Sequence, residues 1–281
     1  GVSDADWSNS TTALNAGWSA GSDAGSGIRD YDVCFSTVDT GCTNIAGTFT
    51  QTGNTSRAAT ATASGMTQGI TYFTCVRAWD EAGNASSWSC SDGFTIDTAV
   101  PSNPPVASIF DLNTSYASDL DWNTSSTALS ASWSPGIDLL SGIRDYDVCF
   151  SSAASTCTPI AGTSMQSANT TRTATATATG MSDAVQYFTC VRATDNAGNT
   201  SGWTCSNGFT IDTAAPTNPT SANIFDLSTS FGADATWSSS TTALSASWNI
   251  GSDTGSGVAS YDVCFSTASG TCTNIAGTTT Q

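Results

Sequence analysis

Ten cysteines and 23 acidic residues hold most of the reactive chemistry in this 281-residue chain, which has six Arg, no Lys and no His. Without His or Lys, Ser-His-Asp and Cys-His activation, Schiff-base chemistry and a P-loop lysine are all excluded. Carboxylate pairs remain. Asp30 and Asp32 alternate around Tyr31, and paired carboxylates hydrolyse glycosides when they face each other across a cleft. Alternate residues of a strand share one face, so both are expected on an exposed sheet surface, and no enzyme is expected.

Calcium is the one cofactor to weigh. Asp80, Glu81, Asp97, Asp195 and Asp212 fall near the ends of repeated segments, where oxygen ligands could stiffen a junction. No EF-hand loop and no Gly-Gly-x-Gly-x-Asp pattern accompanies them, so solvated loop acids are the simpler reading and no cofactor is expected.

The cysteines recur as Cys34, Cys42, Cys75, Cys90, then Cys149, Cys157, Cys190, Cys205, then Cys264, Cys272. These gaps match no zinc knuckle, and four per repeat points to two disulfides and an oxidising compartment. If the four stand in one outward row across a sheet, ordered 42, 34, 75, 90, neighbours pair as Cys34–Cys42 and Cys75–Cys90. The later copies follow as Cys149–Cys157, Cys190–Cys205 and Cys264–Cys272. The competing bridge, Cys34 to Cys75, strands the outer two. In the same register Asp32 faces Arg77 and Asp147 faces Arg192, as cross-strand ion pairs.

A net charge of −17 lacks the basic footprint of a nucleic-acid binder and opposes docking on anionic lipid. It keeps chains soluble and apart. No apolar run approaches a membrane span, so neither nucleic acid nor membrane insertion is expected.

The elements that position these residues repeat. Tyr-Asp-Val-Cys-Phe stands at 31–35, 146–150 and 261–265, each 115 residues after the last. Trp7, Trp122 and Trp237 keep that spacing, as do Trp18, Trp133 and Trp248, with no insertion. A period this long means beads with separate cores, not a solenoid. The expected domains are 1–100, lacking its first strand, 101–215, complete, and 216–281, partial, as in a window from a longer array. Thr-rich, Gly-punctuated segments with 10% charged residues read as strands. In the second copy, strands are expected at 109–112, 127–133, 146–150, 157–160, 171–179, 187–193 and 203–211. Alternation turns Leu129, Ala131, Trp133, Tyr146, Val148 and Phe150 inward. Trp18, Trp133 and Trp248 are core positions. Trp7, Trp122 and Trp237 pack between beads or stay exposed, where sugar stacking is the best route to a binding function. Trp79 becomes Thr194 in the next copy.

Trp133, Ser-Gly-Ile at 141–143, Tyr146, Gly-Met at 180–181, Tyr187 and the run Val-Arg-Ala-Thr-Asp-Asn-Ala-Gly-Asn at 191–199 form a recognisable set. With the exit Asp-Thr-Ala-Ala-Pro at 212–216, the chain resembles fibronectin type III-like, Ig-like tandem repeats of large bacterial surface and fibre proteins. The resemblance implies all-β sandwiches, tyrosine-corner roles for Tyr72 and Tyr187, and no catalytic residues. Disulfides are a departure from the usual pattern. The sequons at Asn9, Asn54, Asn84, Asn113, Asn123, Asn169 and Asn199 are candidates for N-glycosylation, though Asn and Ser/Thr are common enough here to make several by chance.

The expected role is a structural repeat of a long extracellular filament or cell-surface stalk, with neighbouring repeats and identical chains in a fibre as partners. The alternative is an adhesin repeat that binds glycan or protein, or an accessory module of a secreted hydrolase.

Overall fold

In the computed structural model, residues 4–116, 118–229 and 234–281 are described. The first unit contains β1 (Trp7–Ser8), β2 (Ala13–Gly17), β3 (Ile28–Ser36), β4 (Gln51–Asn54), β5 (Ala58–Thr62), β6 (Thr71–Asp80), β7 (Ser89–Cys90) and β8 (Phe94–Ile96). The second repeats that order and adds a strand at its start. It contains β9 (Ile109–Asp111), β10 (Trp122–Asn123), β11 (Ala128–Trp133), β12 (Ile143–Ser151), β13 (Gln166–Asn169), β14 (Thr173–Thr177), β15 (Gln186–Asp195), β16 (Thr204–Cys205) and β17 (Phe209–Ile211). A third set holds β18 (Ile224–Asp226) and β19 (Ala246–Trp248).

Each of the first two units is built from two sheets. In the second, β10-β17-β15-β12-β13, with β16 also on β15, stacks on β14-β11-β9. In the first, β1-β8-β6-β3-β4 with β7 stacks on β2-β5 alone. Alternation explains the stacking. Tyr146, Val148 and Phe150 of β12 meet Leu129, Ala131 and Trp133 of β11 in one buried core. Trp133 and Tyr146 pack edge-on at 5.8 Å, a geometry the ring quadrupoles favour. Tyr72 and Tyr187 each accept a backbone N–H five residues upstream, from Thr67 and Ser182, both at 3.0 Å. That bond pins the crossing between the sheets.

The outer face of the larger sheet differs from expectation. Cys149 stands opposite Cys190, and Cys190 opposite Cys205. Disulfides join Cys34–Cys42, Cys75–Cys90, Cys149–Cys157, Cys190–Cys205 and Cys264–Cys272. Cys34, Cys75, Cys149 and Cys190 are nevertheless fully buried: the loops carrying Cys42 and Cys157 fold back over the row, bringing the Gly41 and Thr156 carbonyls to the Cys75 and Cys190 sulfurs, and in the second unit Trp203 packs against the cysteines.

Asp32 is likewise buried rather than exposed. Arg77 Nη2 reaches its Oδ2 at 2.8 Å and Trp79 Nε1 donates to the same oxygen at 2.8 Å. The Arg77 guanidinium is itself stacked between Trp79 and Trp88, at 5.3 and 4.8 Å from the ring centres. Asp147 is covered in the same way by Arg192, at 2.8 Å, with Trp203 over the guanidinium.

Two smaller corrections concern strands. The expected strand at 157–160 is only an isolated bridge between Pro159 and Ser151. The expected strand at 203–211 divides into β16 and β17 at Gly208, whose φ of 87° a strand cannot hold. No helix among the described residues is long and apolar enough to cross a membrane.

Candidate functional site

Three carboxylates converge where the first unit meets the second. Asp97 directly follows β8, Asp138 lies in the loop between β11 and β12, and Asp195 ends β15. One oxygen from each lies within 4.8 Å of the others, and Asp97 and Asp195 are buried. Local turns hold them there. Asp138 Oδ1 accepts the N–H groups of Leu140 (3.1 Å), Ser141 (2.9 Å) and Gly142 (2.9 Å), closing an Asp-x-x-Ser-Gly loop. Asp195 accepts the backbone and side-chain N–H of Asn199, both at 2.8 Å.

Asp97 joins the two units. Its Oδ2 accepts the Ser141 N–H at 3.1 Å, and its Oδ1 accepts Gln68 Nε2 at 2.9 Å and the Ala99 N–H at 3.0 Å. Its carbonyl accepts Asn199 Nδ2 at 2.8 Å. Burial alone would raise the Asp97 pKa, but the hydrogen bonds from Ser141, Gln68 and Ala99 outweigh it and hold the carboxyl below its ordinary value. Three close carboxylates of this kind could coordinate a divalent cation such as calcium, a hard ion that takes carboxylate oxygen. Such an ion would be held by groups from both units.

The structure places the sequence candidates differently. Asp97 and Asp195 come together, and Asp138 completes the cluster. Asp80 sits at the end of β6, held below its usual pKa first by the Asn84 side chain and then by the Asn84 backbone N–H. Glu81 is exposed beside it. Asp212 occupies the next junction, where its Oδ2 accepts the Ser256 N–H at 2.7 Å. Sequence reasoning missed Asp138, although Asp-x-x-Ser-Gly recurs at 23–27, 138–142 and 253–257.

The aromatic and sequon candidates do not gather. Trp7 is half-buried, Trp122 is 43% exposed and Trp237 is 89% exposed. Asn54, Asn123 and Asn169 spend their amide N–H on the carbonyls of Ala58, Ala128 and Thr173. Asn113 donates to Ser118, while Asn84 and Asn199 donate to Asp80 and Asp195. Asn9 lies against Gly198 of the second unit. The chain has no His or Lys, and carboxylates such as Asp23, Asp32, Asp147 and Asp97 are engaged in a turn, two ion pairs and the junction.

No family model matches the chain. It is similar to Exoglucanase B of Cellulomonas fimi, 33% identical over 218 residues, covering 74% of this chain and 16% of that protein. It is also similar to Endoglucanase B of Cellulomonas fimi, 30% identical over 266 residues, covering 90% and 21%. Chitinase A1 of Niallia circulans is 32% identical over 173 residues, covering 61% and 22%. The chain thus spans about a fifth of the length of these curated relatives. Among solved structures, the chicken CNTN1 FN1-FN3 domains align over 76% of this chain and 69% of that chain, at 18% identity and a TM-score of 0.24.

Proposed function

We propose that this chain is a non-catalytic accessory array of a secreted, carbohydrate-degrading protein, built from fibronectin type III-like repeats of 115 residues. One observation carries the reading. Up to 90% of the chain is shared with proteins named as glucanases and a chitinase, yet the shared part is about a fifth of each. A segment without His or Lys, several of whose acids serve turns and a junction, suits the part of such a protein that spaces and presents other domains. The proposed units are 1–100, 101–215 and 216–281, each stapled by local disulfides that suit an extracellular, oxidising setting. Peptide mapping of the native polypeptide is the test. Peptides of a glycoside-cleaving domain in the same covalent chain are expected, and a native chain made only of repeats would sink the proposal.

The filament reading keeps one observation in its favour, which is that successive junctions are alike. Ser102 and Ile137 exchange backbone hydrogen bonds at 2.9 and 3.3 Å, and Thr217 and Ser252 do so at 2.8 and 3.1 Å. Alike junctions build a regular rod whether that rod is a filament or a spacer. Co-sedimentation with insoluble cellulose and chitin separates both from an adhesin role: spacer and filament repeats stay in solution, whereas glycan-binding repeats are retained.

A further inference from the structure

In each of the first two units the disulfides are separate in connectivity, yet three of their four cysteines form one row in space. In the first unit Cys34 on β3 stands opposite Cys75 on β6, and Cys75 stands opposite Cys90 on β7. The second unit repeats the row as Cys149, Cys190 and Cys205. The bonds run Cys34–Cys42 and Cys75–Cys90. The two inner cysteines, Cys34 and Cys75, are therefore neighbours that are not joined.

The register fixes how near they are. Cys75 and Cys90 are 4.0 Å apart at Cα, and beside them the Ser91 N–H donates to the Thr74 carbonyl. This is the narrow kind of antiparallel pair, which exchanges no backbone hydrogen bonds of its own. Cys75 accordingly turns its N–H and C=O toward β3. Its pair with Cys34 is the wide kind, with Cα atoms about 5.5 Å apart, a separation that disulfides commonly span. The row also sets the angle. Three neighbouring strands place Cys34, Cys75 and Cys90 nearly in line, so the Cys75–Cys90 bond points away from Cys34. A thiolate on Cys34 then meets Cys75 Sγ from the side opposite the leaving sulfur, the approach that thiol–disulfide exchange uses.

Burial gives the exchange a direction. Cys34 and Cys75 are wholly buried, whereas Cys42 and Cys90 are half-buried. A thiolate on Cys34 would be a charge in a dry site, and on Cys90 the same charge reaches water. Cys42 lies in the loop between β3 and β4, with its Sγ 3.2 Å from Thr50 Oγ1. Its counterpart Cys157 is half-buried in the same way, while Cys205, the counterpart of Cys90, is buried. The loop cysteine is thus the outer sulfur open to solvent in both units.

We propose that the cysteine row of the first unit is a capture site for small thiols, entered at Cys42. The incoming thiolate attacks Cys42 Sγ, forms a mixed disulfide there and expels Cys34 as a thiolate. Cys34 then attacks Cys75 Sγ, forming Cys34–Cys75 and expelling Cys90, which takes up the proton that the incoming thiol gave. Two disulfides and one thiol enter, and two disulfides and one thiol leave, so nothing is oxidised or reduced overall. With Cys34 bonded to Cys75, it no longer expels the captured thiol, and a reactive thiol stands at Cys90.

Reduced glutathione, added to the intact folded chain and followed by acid quenching, alkylation and peptide mapping, tests this. Glutathione is expected on Cys42 and the alkyl label on Cys90 in equal amount, with a new Cys34–Cys75 bridge. Cys42→Ser gives a second reading without added thiol: its bridge is expected at Cys34–Cys75 and its label on Cys90. Label on Cys34 with Cys75–Cys90 intact, in either experiment, overturns the proposal. So does a folded chain that takes up no glutathione at Cys42.

Discussion

Asp111 is wholly buried in the second unit, and its Oδ2 has no hydrogen-bond partner. Burial pushes its pKa up to about 6, against the opposing hydrogen bonds of Thr189 and Ser206. The folded state therefore holds this proton more tightly than the unfolded chain, whose carboxyl titrates near the ordinary 3.8. Between those two values the native state binds more protons, so stability falls as pH rises. A gap of about two units corresponds to roughly 3 kcal/mol at most. Denaturant unfolding between pH 4 and pH 7.5 should show the second unit weakening upward through pH 6, and Asp111→Asn should flatten that slope. A wild-type slope that survives the substitution would refute the assignment to Asp111. The buried ion pairs give a second comparison. Asp32 keeps Trp79 Nε1 when Arg77 is removed, whereas the counterpart of Trp79 beside Asp147 is Thr194. Stranding a buried carboxylate costs about 3–5 kcal/mol. Arg192→Ala should therefore lower the melting temperature of its unit more than Arg77→Ala lowers that of the first.

At the scale of elements, the linker is pressed onto the loop after β11. A Cβ on Gly136 would run into the Ser102 carbonyl, and one on Gly251 would meet the Thr217 carbonyl. Both glycines sit where the two-way bonds between linker and loop form, so close approach, not positive φ, requires them. Gly136→Ala should break the Ser102–Ile137 exchange and cost on the order of 1–3 kcal/mol, with faster amide exchange at Ser102 and Ile137 as the signature. Unchanged exchange at those amides would remove the steric reason. How much of this was legible in the sequence follows from the same physics. Inward positions such as Leu129, Trp133 and Val148 are marked by alternation, because one face of each strand meets one core. Burial of Asp32 and Cys149 on the other face left no such mark. It depends on loops and on Arg–Trp stacks that come from distant parts of the chain. Asp138 was hidden for a related reason. Its spacing is visible as a turn motif, but its approach to Asp97 depends on how one unit docks on the next. β10 escaped notice because two residues paired in parallel to β17 are too short to show a period.

For the whole molecule, the decisive quantity is the angle between successive units. Asp97 bonds the Ser141 N–H across the first junction and Asp212 bonds the Ser256 N–H across the second, so the same constraint is applied twice. Asn199 adds a bond to the Asp97 carbonyl, and the Pro residues at 101, 104 and 105 fix φ in the connecting segment. Against these stands the mutual repulsion of Asp97, Asp138 and Asp195, three like charges in partly desolvated surroundings. A divalent cation would turn that repulsion into a bridge. Spin labels on the first and second units should accordingly give one narrow distance distribution, narrower still in millimolar calcium. Asp138→Asn keeps the loop hydrogen bonds through its amide oxygen while removing one charge. Its distribution should stay narrow in chelator and respond less to calcium, and its melting temperature in chelator should exceed that of the native chain. Native chain and variant that respond alike to calcium would remove any part for the metal at this junction. A broad distribution in both would show the hydrogen bonds too weak to set the angle, and a spacer or filament built on such junctions would bend freely at every repeat.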